Sequence, residues 1–284
     1  MSLPPLNVPQ LLRQYDLTPR KSLGQNFLIE PTALERVISA SKMESTDHVL
    51  EIGAGLGSLT RLLAVNACHV TAVEIDRHLI PILQEVLKPH PNITLIQGDI
   101  MELSPAEIMQ MQDYVVVANI PYYITSALLR HLLEASLKPR RLVLTIQKEV
   151  AARICTKDGK MSLLALSVQV FGTAQIAAPI PAGCFYPVPT VDSSVLVVEL
   201  YKHPLIPTTQ LDDFFTLIHA GFSQKRKMLR NSFSSRLPFT ADQIKELLIQ
   251  ADIDPQRRAE SLTLDEWKKL TMLYHSINTT KEES

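Results

Sequence analysis

Two segments of the chain are apolar at every consecutive position: Tyr114-Val115-Val116-Val117-Ala118 and Leu142-Val143-Leu144. A strand with one wet face alternates apolar and polar residues. A run without alternation must be covered on both sides, as in a parallel sheet between two helical layers. Short β-branched runs of this kind recur at residues 48–52, 69–75, 93–97, 114–119 and 142–147. Between them, residues 58–66, 77–87 and 126–134 carry apolar side chains at three- and four-residue spacing, the period of a helix. Strand and helix in alternation predict an α/β, Rossmann-like fold. A further strand is expected at residues 194–200. Lys202-His203-Pro204-Leu205-Ile206-Pro207 then reads as a linker, because two prolines so close together resist both helix and ladder. Beyond it the pattern is helical. Thr263-Leu264-Asp265-Glu266 is a capping box opening a helix to His275, with residues 279–284 expected to fray. A domain boundary is therefore expected near residue 203.

With 46% hydrophobic and 20% charged residues, 284 residues suffice for one large domain and one small one. The formal net charge of −1 excludes a whole-chain basic surface, so any nucleic-acid footprint has to be local. Cys68, Cys155 and Cys184 are far apart and odd in number, which argues against a disulfide framework or a zinc site. The histidines are scattered without ligand spacing, and no metal is expected. The N-terminus lacks the basic start and apolar run of a signal peptide. No stretch approaches the roughly 18 apolar residues needed to cross a bilayer. The expected location is cytoplasmic.

Gly53-Ala54-Gly55-Leu56-Gly57 follows the first strand and opens a helix, a setting in which glycines let a ligand approach the backbone. Glu74 ends the next strand and is placed to accept from both hydroxyls of a ribose; Asp99 ends the third and is placed to accept from an adenine amine. The loop alone does not separate this reading from an NAD-binding domain. However, its spacing is G-x-G-x-G, with Ser58 where a dinucleotide fingerprint has its third glycine.

The more specific signal is Asn119-Ile120-Pro121-Tyr122, at the end of the fourth strand. An exocyclic base amine is a poor nucleophile, because its lone pair is delocalised into the ring. Two acceptors that hold its N–H groups draw the nitrogen out of plane. The Asn119 side-chain oxygen is one, and a backbone carbonyl aimed by Pro121 is the other. Tyr122 offers a flat face for an extruded base. A sulfonium methyl is already activated, so transfer needs positioning more than a strong base.

Taken together, these motifs resemble the ribosomal RNA adenine N6-dimethyltransferase family, over about residues 16–275. The resemblance also rests on Arg20-Lys21-Ser22-Leu23-Gly24-Gln25-Asn26-Phe27-Leu28, on Glu74-Ile75-Asp76, on Gln147-Lys148-Glu149-Val150-Ala151, on the block from Phe185 to Ser193, and on Phe222-Ser223-Gln224-Lys225-Arg226-Lys227. It implies S-adenosylmethionine as methyl donor, with Asn26 and Leu28 closing over it beside Gly53, Gly55, Glu74, Asp99 and Asn119. It implies that Phe185 sandwiches the target base opposite Tyr122. It further implies a seven-stranded methyltransferase domain (1–203) and a helical RNA-docking domain (204–284). The substrate it implies is a stem-loop near the 3′ end of small-subunit (16S) ribosomal RNA in an immature 30S subunit, dimethylated on two adjacent adenosines. A monomer is expected, since the sequence carries no strong self-association signal. One departure is Asp158-Gly159-Lys160-Met161-Ser162-Leu163, where family members often carry Tyr-Gly.

From Phe214 to Ala241 the chain has Lys225, Arg226, Lys227, Arg230 and Arg236 and no acid, a stripe suited to phosphates. Lys148 and Arg153 follow the fifth strand and are expected to join it. Arg257 and Arg258 read equally as a salt-bridge cluster or an RNA contact. Two other functions fit parts of the pattern: methylation of large-subunit RNA, and a non-catalytic RNA-binding assembly factor.

Overall fold

The computed structural model describes residues 3–157 and 159–282, with side chains through Thr279. Asp158, which opens the departing segment, and the last two residues of the tail lie outside the described residues. The strands are β1 (Phe27–Leu28), β2 (His48–Ile52), β3 (His69–Glu74), β4 (Ile93–Gln97), β5 (Val115–Asn119), β6 (Arg141–Gln147), β7 (Gly172–Ile180), β8 (Phe185–Tyr186) and β9 (Ser193–Leu200). Seven of them form one sheet in the order β4-β3-β2-β5-β6-β9-β7. The pairs from β4 to β6 are parallel. β9 runs antiparallel to β6, with Arg141 opposite Glu199 and its Nε 2.8 Å from both carboxylate oxygens.

The unbroken apolar runs are covered on both faces: Val115 to Ala118 and Leu142 to Leu144 are fully buried. Val115, Val117 and Val143 pack in one cluster with Val49, Leu34 and Leu63. β7 was not anticipated. Gly172-Thr173-Ala174-Gln175-Ile176 lacks both alternation and a continuous apolar run, because the strand lies at the sheet edge and is largely exposed. The helix expected from residue 77 begins only at Ile80. Before it, the Asp76 side chain accepts from the His78 N–H at 3.1 Å and holds the chain in a turn.

The chain forms two compact units. The first runs through Ala152 and takes in Thr173–Leu200; the second comprises Arg153–Gly172 and the chain from Tyr201 onward. A single cut near residue 203 therefore misses one segment. Residues 153–172 join the C-terminal helices through backbone bonds such as Met161 N to Glu260 O at 2.8 Å and Leu205 N to Val170 O at 2.9 Å.

In the first unit the sheet order reverses between β2 and β5. From β2 the chain steps to β3 and β4 on one side, and from β5 to β6 on the other. The crevice beyond the carboxyl ends of two such strands is where open α/β sheets bind ligands. A separate two-stranded ribbon pairs β1 with β8, Phe27 facing Tyr186 and Leu28 facing Phe185. It fastens the N-terminal block to the Phe185 block.

The second unit is helical and centred on Trp267, which is fully buried between the rings of Phe222 and Phe233 at 6.0 and 6.3 Å. The capping box closes as expected: the Thr263 hydroxyl accepts from Glu266 N at 3.2 Å, and Glu266 Oε2 accepts from Thr263 N at 2.7 Å. The helix it opens, Leu264–Glu282, continues past His275 into the tail expected to fray. Among the described residues, no helix is long and apolar enough to cross a membrane.

Candidate active site

The loop after β2 turns through left-handed backbone at Gly53 (φ 79°) and Gly55 (φ 60°), a region that residues with a Cβ enter only with strain. Space is short as well. A Cβ on Gly55 would lie 3.0 Å from the Phe27 ring, and one on Gly53 would lie 3.4 Å from the Asn119 carbonyl oxygen. The loop is held in place at the switch point, with Gly53 N donating to Val73 O at 2.9 Å and Gly57 N to Ala54 O at 2.9 Å, and the first turn of helix Ser58–Asn66 lies behind it.

Glu74, at the end of β3, is 4% exposed. Its Oε2 accepts from Gly55 N at 2.7 Å and its Oε1 from Asp76 N at 2.8 Å. Burial pushes its carboxyl above the usual range, and the two N–H groups oppose the rise. Each oxygen keeps a further lone pair for a ligand hydroxyl. Asp99, beyond β4, is fixed by accepting from Met101 N at 2.9 Å.

Asn119 ends β5. Its Nδ2 donates to the Asn26 carbonyl at 3.0 Å, which assigns the amide: Oδ1 remains as the acceptor. The Tyr122 hydroxyl is tied to Ser193 Oγ at 2.9 Å. Burial raises its pKa; the Ser193 bond lowers it and the nearby Asp192 carboxylate raises it. The phenol therefore stays protonated at neutral pH.

These groups share one cavity of about 170 Å³. Asn26, Gly53, Gly55, Glu74 and Asp99 line it together with Asn119, Pro121, Tyr122 and Phe185. Leu28 does not line it. Its side chain is buried in the core beneath the β1–β8 ribbon, and its neighbour Phe27 reaches the cavity instead. The alternation of side chains along a strand decides between the two. One cavity residue escaped the sequence reading, and so did the role of Asp76 within the Glu74-Ile75-Asp76 block. Tyr123 lines the cavity while 66% exposed; following directly on Tyr122, it was hidden by the motif. Asp76 is 2% exposed and binds Arg20 and Gln25 of the N-terminal block. Only the pairing of distant segments reveals it.

Lys148, in the first unit, is exposed at the start of helix Lys148–Ile154, its backbone N–H bonded to Asp192 O. Arg153, Lys225, Arg226, Lys227, Arg230 and Arg236 are exposed in the second unit. Lys225 to Lys227 occupy the turn between helices Leu211–Phe222 and Leu229–Ser234. Arg257 and Arg258 separate. Arg257 is paired with Glu266 and donates to Ser261, whereas the Arg258 side chain is exposed. The Arg257 carbonyl accepts from Leu229 N at 2.7 Å, so Arg258 follows a residue joined to the basic segment.

The sequence profile of the ribosomal RNA adenine dimethylases matches residues 17–275. The chain belongs to the ribosomal RNA adenine dimethylase family. This dimethylase is 45% identical over 266 residues to the ribosomal RNA small subunit methyltransferase A of Dehalococcoides mccartyi strain CBDB1, covering 93% of this chain and 91% of that one. It is 37% identical to the protein of the same name from Lysinibacillus sphaericus strain C3-41, covering 94% of each. Among solved structures it resembles a dimethyladenosine transferase from Plasmodium falciparum (TM-score 0.74, 26% identity, 88% of this chain and 98% of that one). It also resembles the 23S rRNA methyltransferase ErmE (TM-score 0.71, 26% identity, 87% and 99%). The fold is thus a Rossmann-like methyltransferase fold, and the dimethylase is an enzyme of ribosomal RNA.

Proposed function

We propose that this dimethylase methylates the N6 amines of two adjacent adenosines near the 3′ end of small-subunit (16S) ribosomal RNA, using S-adenosylmethionine, while the 30S subunit is immature. The two relatives named for the small subunit support the choice of RNA, since each matches over more than nine-tenths of both chains. The observation that carries the chemistry is the bond from Asn119 Nδ2 to the Asn26 carbonyl, which leaves Oδ1 as the acceptor of a residue that lines the cavity.

The residues present fit the donor. Left-handed glycines at Gly53 and Gly55, a buried carboxylate at Glu74 and a half-buried one at Asp99 suit a nucleoside with ribose hydroxyls and an adenine amine. S-adenosylmethionine supplies a sulfonium-activated methyl group. Asn119 Oδ1 and a carbonyl of the 119–122 turn accept the two N–H groups of the target amine and localise its lone pair. Tyr122 and Phe185 flank the base, and the Ser193 bond sets the plane of the Tyr122 ring. With its phenol protonated, Tyr122 serves as a stacking surface and not as a base. Leu28 supports Phe185 through the β1–β8 pairing.

The exposed cations of the second unit, with Lys148 of the first, bind phosphates of the RNA. The protein acts as a monomer in the cytoplasm. A second reading, methylation of large-subunit RNA, has one observation in its favour, the likeness to the 23S enzyme ErmE. Methyl transfer from labelled S-adenosylmethionine to unmethylated small subunits, large subunits and free RNAs, followed by nucleoside analysis, separates the two. Dimethyladenosine confined to small subunits is expected. Label in large-subunit RNA establishes the second reading, and no transfer with small-subunit binding retained makes the protein an assembly factor.

A further inference from the structure

Asp76 lies outside the cavity lining, at the end of the Glu74-Ile75-Asp76 block. It nonetheless collects more hydrogen bonds than any catalytic candidate. Its Oδ2 accepts from Gln25 Nε2 at 2.8 Å, and its Oδ1 accepts from His78 N at 3.1 Å and from Arg20 Nη1 at 3.3 Å. Its own N–H donates to Glu74 Oε1 at 2.8 Å, and the other Glu74 oxygen holds Gly55 N at 2.7 Å. Gln25 is bound at both ends, because its Oε1 accepts from Arg20 N at 2.8 Å. The carboxylate is 2% exposed, so the ion pair to Arg20 is shielded on one side and reaches water on the other.

The segment fastened in this way, residues 20–27, touches both halves of the site. On the donor side the Phe27 ring lies over Gly55, where a Cβ would come within 3.0 Å. On the target side the Asn26 carbonyl fixes the Asn119 amide at 3.0 Å. Gly24, held at φ 61°, packs so closely on the 121–123 turn that a Cβ would lie 3.1 Å from Pro121 and 3.3 Å from Tyr123. A single strap thus joins the glycine loop to the amine-binding turn, and its side-chain anchor is one buried carboxylate.

We propose that Asp76 is a positioning residue: by holding Gln25 and Arg20 it keeps the 20–27 strap on Asn119 and Gly55, so that the donor and target subsites are aligned through one anchor. The inference rests on the methyltransferase reading above.

The bond directions make it testable by chemistry and not by truncation alone. In Asp76→Asn the new amide meets donors on every side, since Gln25 Nε2, His78 N–H and Arg20 all point at it. Whichever way the amide turns, one N–H group faces another. Adding Gln25→Glu restores the match. The amide at position 76 then donates its Nδ2 to the carboxylate at position 25, while its Oδ1 keeps His78 and Arg20. The carboxylate at position 25 still accepts from Arg20 N. The measurements are S-adenosylmethionine affinity by calorimetry, and kcat and donor KM with small subunits, for the wild type, each single variant and the double variant. Losing a charge-assisted hydrogen bond predicts a donor Kd raised by about tenfold or more in Asp76→Asn. Its kcat should fall as well, because Asn119 loses its support. The double variant should recover to within about threefold of the wild type, a non-additivity expected only of residues that touch each other. Gln25→Ala, at a partly exposed position, should reproduce the loss in protein of unchanged thermal midpoint. A double variant no better than Asp76→Asn, or an Asp76→Asn protein with unaltered donor affinity and kcat, overturns the proposal. Failure of the parent reading shows itself separately, as wild-type protein that transfers no methyl group to small subunits while the calorimetric series still reports on the strap.

Discussion

Asn119 shows how much one side chain can decide. Its amide has a donor end and an acceptor end, and the Asn26 carbonyl takes the donor end at 3.0 Å. The acceptor end is then fixed without any reorganisation when a base arrives. Asn119→Ala should lower kcat by roughly a hundredfold or more, the scale of one preorganised polar group at a reacting centre. RNA affinity should stay within about twofold, because phosphates carry most of it; turnover retained in a filter-bound methyl assay would remove Asn119 from the chemistry. Glu51 makes a second prediction. Burial pushes its carboxyl up to about 8; the Thr60 hydroxyl opposes the shift and the Glu74 carboxylate adds to it. A carboxyl raised in the folded state is protonated there, so its contribution to stability is present at low pH and is lost as pH rises through that value. Thermal midpoints of the wild type and Glu51→Gln, measured from about pH 5 to about pH 8.5, should diverge in favour of the variant as pH climbs. A constant offset would mean that Glu51 is ionised in the fold.

At the scale of elements, helix Leu211–Phe222 contains a glycine where alanine would be the better helix former. Gly221 costs about 1 kcal/mol in propensity, yet a Cβ there would lie 2.6 Å from the Trp267 ring and 3.1 Å from Leu229. Overpacking a core costs about 1–3 kcal/mol, and the indole is fully buried against the rings of Phe222 and Phe233. The steric term wins, so Gly221→Ala should lower the urea midpoint, whereas propensity alone predicts that it rises. The cap of helix Leu264–Glu282 is tied to the same unit. Burial pushes the Glu266 carboxyl up, but the Arg257 guanidinium and the Thr263 N–H outweigh it and hold it below the usual range. That contribution is present above the ordinary carboxylate pKa and is lost as pH falls through the lowered one.

For the whole molecule, charge is the informative quantity. A net charge of −1 conceals a segment of the second unit in which Lys225, Arg226, Lys227 and Arg230 are exposed and without acidic partners among the described residues. Replacing Lys225, Arg226 and Lys227 by glutamine should weaken RNA binding at low salt. It should also flatten the plot of log affinity against log salt by about 0.7–0.9 for each phosphate no longer neutralised. An unchanged slope in filter binding would place the docking surface on other residues.

The sequence alone determined the repeating strand–helix order and the residues at the strand ends. These are local matters: runs of β-branched residues choose strands, and turn chemistry shapes the loops after them. Asn119, Tyr122, Glu74, Asp99 and the glycines were legible for that reason, since each sits a fixed step from a strand that announces itself. Other features depend on residues far apart in the chain, and no local pattern encodes them. The edge strand β7 exists because β9 offers it a partner, not because of its own composition. Phe27 reaches the cavity where Leu28 was expected, because the ribbon with β8 decides which side chain turns toward it. Residues 153–172 joined the C-terminal unit through backbone bonds made across 35 residues of chain, from Leu205 to Val170, and 99, from Met161 to Glu260. Asp76 became an anchor only when folding brought Arg20 and Gln25 to it, 56 and 51 residues back along the chain. Periodicity and turn signals act over a few residues, while pairing energy is gained only after the chain has closed its long loops, and that is where the tertiary structure decided what the sequence left open.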